Sequence, residues 1–318
     1  MTKKLRDSVV VITGASSGIG RAAALEFASR GAKLVLAARR EGPLREVVFA
    51  CEQRGGQAIA VPTDVTKESA VYALAQQAVD RFGGIDVWVN NAGVSLFARF
   101  EESPPDAFRQ VVETNFFGYV HGARAALRRF REQGRGVLIH VASMVGKVGS
   151  PFVSAYVASK FAIVGFSEAL RQETLDAKQI HVCTVLPASI DTPLFQHAAN
   201  FTGRATKPLE PIVDPRRVAL AIVGCAEQPK REVTVGASGL GMIWMRRLPP
   251  SLREKLVAHK VERDHFQDRA EPPHAGNLFK PMLTWTTVSG GWRENASASL
   301  GSLGKLRDKA KRMLHLKA

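Results

Sequence analysis

Val9-Val-Val-Ile-Thr13 leads directly into Gly14-Ala-Ser-Ser-Gly18-Ile-Gly20. A short apolar run thus gives way to a glycine-rich turn, and the residues after it carry a helical pattern. Glycine lets such a turn tighten and lets the backbone approach an anion closely. The N-terminus of the following helix offers free N–H groups and the positive end of its dipole to that anion. A glycine-rich turn by itself is a weak signal, but between a strand and a helix it has the context a dinucleotide pyrophosphate site needs. The spacing is Gly-x₃-Gly-x-Gly, not the G-x-G-x-x-G of many dinucleotide domains.

The same alternation continues outward from this turn. Apolar runs rich in Val and Ile recur at 9–13, 33–38, 58–61, 86–90, 136–142, 181–186 and 232–235. Helix-like segments lie between them, near 18–30, 43–54, 67–82, 104–132, 153–176 and 214–228. Strands that are continuously apolar and separated by helices predict a parallel sheet buried on both faces. The expectation is a doubly wound α/β fold with right-handed crossovers. After Gly241 the alternation stops, with Pro249-Pro250, Pro272-Pro273 and a Gly/Ser-containing stretch from Ser289 to Gly304. The domain expectation is one unit over 1–239 and a basic, partly helical extension over 240–318 that is not a second compact domain.

The 318 residues are 45% hydrophobic and 23% charged, an ordinary globular composition. Three cysteines, Cys51, Cys183 and Cys225, form neither a disulfide framework nor a zinc pattern. No metal site is expected. The first apolar run is too short for a signal-peptide core, and no stretch approaches a membrane span. A cytoplasmic protein is the expectation. The net charge of +15 would attract anionic partners. With no helix-turn-helix cue, zinc spacing or aromatic-interleaved basic strand, it reads as a solvated basic surface, and no nucleic acid is expected.

Tyr156-Val-Ala-Ser-Lys160 places a phenol and an ammonium at i and i+4, one turn apart on a helix face. A nearby ammonium favours the tyrosinate, whose free pKa is about 10. Alone, this spacing is usually no more than a helix surface. Here it accompanies Thr63-Asp64-Val65, Asn90-Asn91-Ala92-Gly93, Asn115, Ser143 thirteen residues before Tyr156, and Pro187 with Thr192.

Taken in order, these motifs resemble the short-chain dehydrogenase/reductase family over residues 8 to about 238, with a Rossmann-like fold. Ala188 departs from that pattern, standing where the family usually has glycine. The resemblance implies a catalytic set of Asn115, Ser143, Tyr156 and Lys160. Tyr156 would be the general acid or base, Ser143 a donor to the substrate oxygen, and Lys160 the holder of the nicotinamide ribose and depressor of the tyrosine pKa. Asn115 would hold a water linking Lys160 to solvent. Singly, Asn115 also reads as a helix-breaking polar residue and Ser143 as a strand-end cap. The implied cofactor contacts are Gly14, Ser16, Ser17, Gly18, Ile19, Gly20, Arg39, Asp64, Val65, Asn91, Ala92, Gly93, Tyr156, Lys160, Pro187 and Thr192.

Cofactor choice is readable at the end of the second strand. An acidic residue there accepts from the ribose 2′-hydroxyl and repels a 2′-phosphate. This chain has Ala38, followed by Arg39 and Arg40. Arg39 is placed for charge-assisted hydrogen bonds to a phosphate, so NADP(H) is expected. The other reading of the two arginines is a solvated start to the next helix.

The segment 193–213 occupies the position of the family's variable lid. Its Leu194, Phe195, Phe201 and Pro208, with Val145, Val148 and Phe152, predict an apolar pocket or simply lid packing. Arg204 is a candidate for a substrate carboxylate. The resemblance further implies a homodimer or homotetramer built on the helices of Val111–Phe130 and Tyr156–Leu175. Phe117, Ala125, Phe161, Ala162 and Phe166 are the apolar positions there. The extension, including Ile243, Trp244 and Met245, covers the substrate cleft or a subunit interface on one reading. On the other, it is a peripheral membrane contact.

The leading function is a carbonyl reductase or alcohol dehydrogenase acting on a small-molecule ketone or secondary alcohol. The alternatives are an enoyl reductase or epimerase of the same family, or a regulatory protein that holds NADP(H) without turnover. The Tyr156-x₃-Lys160 spacing speaks against the enoyl reductase, and retention of both residues speaks against a protein without turnover.

Overall fold

The computed structural model describes residues 5–236 and 248–293. Its centre is a seven-stranded parallel sheet. The strands are β1 Val9–Thr13, β2 Lys33–Ala38, β3 Gln57–Pro62 and β4 Val87–Asn90, then β5 Gly136–Val141, β6 Ile180–Pro187 and β7 Glu232–Val235. Their spatial order is β7-β6-β5-β4-β1-β2-β3. The order therefore reverses at β1, which pairs with β2 on one side and β4 on the other. In open α/β sheets the crevice beyond the carboxyl ends of the strands at this reversal is where ligands bind.

Alternation along each strand feeds two separate cores. Val10 and Ile12 pack with helix α1 (Gly18–Ala28), α2 (Glu41–Glu52) and the helix Pro215–Glu227. Val9 and Val11 face the opposite way, toward α3 (Glu68–Phe82) and α5 (Gly118–Gln133). Each fully buried Val, Ile or Leu contributes roughly 1.5–3 kcal/mol relative to exposure. That explains why strands covered on both faces are apolar throughout rather than at alternate positions.

The helical segment expected over 104–132 is interrupted. It consists of α4 (Pro105–Val112), a π turn over Glu113–Phe117, and α5. The π turn carries Asn115, and its wider backbone ring re-aims that side chain out of the regular helical register. Helix α6 spans Ser154–Glu173 and brings Tyr156 and Lys160 to the crevice. The lid begins with the short helix α7, Leu194–His197, and leads to α8, Pro215–Glu227.

The described part of the extension runs back across the same end of the sheet. Helix α9 (Pro250–Asp264) is followed by Phe266–Ala270, which pairs antiparallel with Arg204–Thr206 of the lid. His274 then bridges to Asn200. Ile243, Trp244, Met245 and the basic terminal residues lie outside the described residues, as does the membrane expectation that rested on them. Among the described residues no helix is long and apolar enough to cross a membrane.

Candidate active site

The turn after β1 has the tight geometry its sequence implied. Gly14 has φ +67°, and a Cβ there would lie 2.7 Å from Ala92 Cα. A Cβ on Gly20 would collide with the Gly14 carbonyl. The Asn90–Gly93 loop is laced to this turn: Thr13 Oγ1 accepts from the amides of Asn91 at 3.0 Å and Ala92 at 3.2 Å. Asn91 Nδ2 donates to the carbonyls of Thr13 and Gly14. Asn90 plays a different, structural part, accepting from Trp88 Nε1 at 2.8 Å and donating to the Tyr119 carbonyl.

Ser17 starts α1 with no side-chain cap, which leaves first-turn amides free for an anion. One exception is Gly18, whose amide donates to the Thr287 carbonyl of the extension at 2.9 Å.

The catalytic candidates converge from three elements. Ser143 lies just beyond β5 in extended backbone, and its hydroxyl accepts from the Val145 amide at 3.3 Å. It also donates to the Pro187 carbonyl at 3.4 Å. Lys160 is 3% exposed; its Nζ donates to the Val141 carbonyl at 3.0 Å and lies 5.4 Å from the centre of the Tyr156 ring. Asn115 is fully buried. Its Oδ1 accepts from the Val94 amide at 2.8 Å, while Nδ2 donates to the Val94 carbonyl and to Ser159 Oγ. Its side chain therefore binds the loop after β4 to α6.

The electrostatics differ from the expectation for the Tyr–Lys pair. Burial pushes the Tyr156 phenol up to about 12, and the Ser143 hydrogen bond is what opposes the rise. Burial pushes Lys160 down to about 7. Charge on the lysine is thus not the main influence on the tyrosine here. Desolvation acts on both groups, and it disfavours the charged form of each. Tyr156 is partly exposed, and its exposure is to the cavity it lines.

A single cavity of about 650 Å³ joins these groups. Its wall includes Gly14, Ser16, Ser17, Gly18, Ile19, Arg39, Asp64, Val65, Asn91, Ala92 and Gly93, then Ser143, Tyr156, Lys160, Pro187 and Thr192. Of the sequence-derived candidates, Asn115 stands behind the wall and Gly20 beneath the turn. Asp64 Oδ1 accepts from the Thr66 amide and hydroxyl, which fixes that carboxylate at the cavity edge. Ala188 is not among the residues with positive φ, so the alanine is accommodated without the freedom of glycine.

Arg39 and Arg40 are neither solvated nor free. Arg39 donates to the carbonyls of Asn277 at 2.5 Å and Leu278 at 3.1 Å. Arg40 donates to those of Met282 and Thr284. Burial lowers the pKa of Arg39, and Asp64 works against that. Arg204 is engaged elsewhere, paired with Glu262 at 3.0 Å and lying over the Phe266 ring, outside the cavity wall. Val148, Phe152, Phe201 and Pro208 also lie off the wall, whereas Val145, Leu194 and Phe195 are on it.

Other wall residues had no local signal in the sequence. Phe97 and Val153 join the apolar side, and Leu256, Val257 and Val261 come from α9. Asn277, Pro281 and Met282 of the extension also line the cavity, and nothing local to them says that they cross to β2.

The pieces present fit a nicotinamide dinucleotide. A glycine cradle with uncapped amides lies at one end, a carboxylate and two guanidinium groups flank it, and the Tyr156 phenol lies at the other. A family model described as short chain dehydrogenase matches residues 8–202. A Bacillus subtilis (strain 168) protein named uncharacterized oxidoreductase YxnA is 38% identical over 275 residues, covering 85% of this chain and 77% of its own. Dehydrogenase/reductase SDR family member 7B of Bos taurus is 32% identical, with 83% and 84% covered. A crystal structure of a short-chain dehydrogenase/reductase from Burkholderia phymatum in complex with NAD superposes with a TM-score of 0.71 at 27% identity. That likeness covers 80% of this chain and 97% of the other. The chain belongs to the short-chain dehydrogenase/reductase family and is an oxidoreductase of it.

Proposed function

We propose that this protein is an NADP(H)-dependent oxidoreductase that interconverts a ketone and a secondary alcohol bearing apolar substituents, with Tyr156 as its general acid/base. The observation that carries this reading is the shared cavity, whose wall brings the Tyr156 phenol together with Ser143 and with Lys160, whose Nζ lies 5.4 Å from the Tyr156 ring centre. The dinucleotide supplies the hydride donor or acceptor at its nicotinamide.

Tyr156 gives its proton to the substrate oxygen in reduction and takes it back in oxidation. Burial keeps this phenol protonated at neutral pH but makes it a weaker acid, so stabilising the charge left on it is part of the work of the groups around it. Ser143 orients that oxygen and stabilises the negative charge developing on it. Lys160, whose own pKa lies near neutrality, can return a proton to the phenol from the protein side. Asn115 holds the loop and α6 in register, so that Gly93 and Lys160 stay at the cavity together.

NADP(H) over NAD(H) rests on the end of β2. Ala38 offers no acidic acceptor for a ribose hydroxyl, and Arg39 adds a cation on the cavity wall. The apolar substrate rests on Phe97, Val153, Phe195, Leu256 and Val257. A homodimer on the α5 and α6 side is supported by Phe117 and Phe161, which are 42% and 43% exposed; gel filtration of the full chain as a monomer would remove it.

The deciding experiment is titration with NADPH and NADH by nicotinamide fluorescence, with a screen of hydrophobic ketones for turnover. A preference for NADPH that Arg39→Asp abolishes upholds the reading. A preference unchanged in Arg39→Asp overturns the cofactor choice, and absence of binding of either cofactor overturns the enzyme reading.

A further inference from the structure

We infer that Asn277, brought in by the C-terminal extension, is a cofactor-binding residue at the adenosine-ribose end of the cavity. Its own backbone and that of its neighbour hold Arg39 for the same task. The inference rests on the NADP(H) reading above and names a residue beyond residues 8–202, where the family resemblance lies.

The extension forms a strap along one side of the cavity. Asn277, Pro281 and Met282 share its wall with Arg39 and Asp64. The strap is anchored on both flanks of the crevice. At one end the Asn277 amide donates to the His197 carbonyl of the lid at 2.9 Å. Gly276 just before it has φ +51°, and a Cβ there would lie 2.5 Å from the Ala198 carbonyl oxygen. At the other end the buried Asp191 carboxylate accepts from Ser289 Oγ at 2.7 Å, the Gly290 amide at 3.1 Å and the Trp292 amide at 2.9 Å. Asp191 directly precedes Thr192, so the strap is tied to the cofactor crevice itself.

Two features of Asn277 point to a ligand. Its main-chain carbonyl takes an N–H of Arg39, and the Leu278 carbonyl takes another. Neutral carbonyls fix the plane of a guanidinium while leaving its full charge for an anion. The Asn277 side-chain oxygen, in contrast, is buried and finds no partner among the described residues. The other buried unpartnered side-chain atoms, on Ser103, His140 and Arg171, lie off the cavity wall.

A buried amide without a partner is costly, and native structures rarely keep one without a reason. Beside Arg39, a carboxamide offers N–H donors to a ribose 2′-phosphate and an acceptor to a ribose hydroxyl, since its two ends are exchanged by rotating the group.

The test measures dissociation constants for NADPH and NADH by nicotinamide fluorescence on the full chain, comparing native protein with Asn277→Asp and Asn277→Ala. Asn277→Asp sets a carboxylate against the 2′-phosphate and should weaken NADPH about tenfold or more, with NADH changed far less. Asn277→Ala keeps the backbone bond to Arg39 and should also weaken NADPH, by a smaller factor. Equal weakening of both cofactors marks a structural role and overturns the inference, as does an unchanged NADPH constant in both variants. Native protein without NADPH preference overturns the cofactor choice. In that case the inference falls with it, whereas a native NADPH preference that neither variant alters overturns the inference alone.

Discussion

Replacing Lys160 with methionine should stabilise the protein most at pH 7 and below and remove a rise in stability with pH expected of the native chain. Lys160 is buried, and burial drops its pKa from 10.5 to about 7. A base whose folded pKa lies below its unfolded one binds more protons when unfolded, so stability increases with pH between those two values. The cost of burying the charge is fully present below pH 7 and relieved as pH climbs toward 10.5. From pH 7 to pH 9 the native chain should gain about 2 kcal/mol from this group.

For a chain of this size that gain is roughly 4 °C in Tm. Methionine matches the length of much of the stem and carries no charge. The Val141 carbonyl keeps a donor, because the Tyr119 hydroxyl reaches it at 2.8 Å. The variant therefore removes the titration without orphaning an acceptor. Tyr156, raised from 10.0 to about 12, titrates above the range and is common to both proteins. Melting scans of both proteins without cofactor at pH 7, 8 and 9 should show the variant's advantage shrinking by roughly 4 °C. An advantage that stays constant over that range would refute a desolvated, near-neutral Lys160.

Three further outcomes follow from the same geometry. Tyr156→Phe removes the proton donor but not the ring, so kcat should fall by about 10²–10⁴-fold with cofactor affinity near native; steady-state rates and fluorescence titration check it, and sustained turnover would remove Tyr156 from its role. Ser143→Ala should lower kcat by about 10²-fold with little change in cofactor binding, which the same assays read. Gly122→Ala places a Cβ against Asn90 Oδ1 and 2.7 Å from Trp88 Nε1, and should destabilise the fold by about 1–3 kcal/mol, seen as a lower denaturant midpoint without change in m.

Much of the fold was legible because its signals are local. Seven apolar runs became seven parallel strands, with Val9–Thr13, Lys33–Ala38 and Glu232–Val235 at the expected ends. A strand buried on both faces must be apolar throughout, and a turn that brings its backbone within reach of Ala92 must be glycine, so each requirement is written where it acts. The Tyr156–Lys160 spacing is likewise a property of a single helix. The π turn at Asn115 was not legible, because the hydrogen bonds that hold its side chain come from Val94 and Ser159, distant in sequence. The electrostatic state of the Tyr156–Lys160 pair was not legible either, since desolvation depends on what surrounds a group rather than on its neighbours along the chain.

The place of the extension was the least accessible of all. Arg39 identifies itself as a cation at the end of β2, but its partners lie some 240 residues further along the chain. Those partners are backbone carbonyls, which every residue type possesses and no sequence pattern marks. The sequence alone determined the sheet, the glycine turn and the Tyr156–Lys160 spacing, through burial and short-range geometry. Only the tertiary structure decided that Asn277, Pro281 and Met282 line the cavity beside Arg39, because the bonds that hold them there run from arginine side chains to main-chain carbonyls far along the chain.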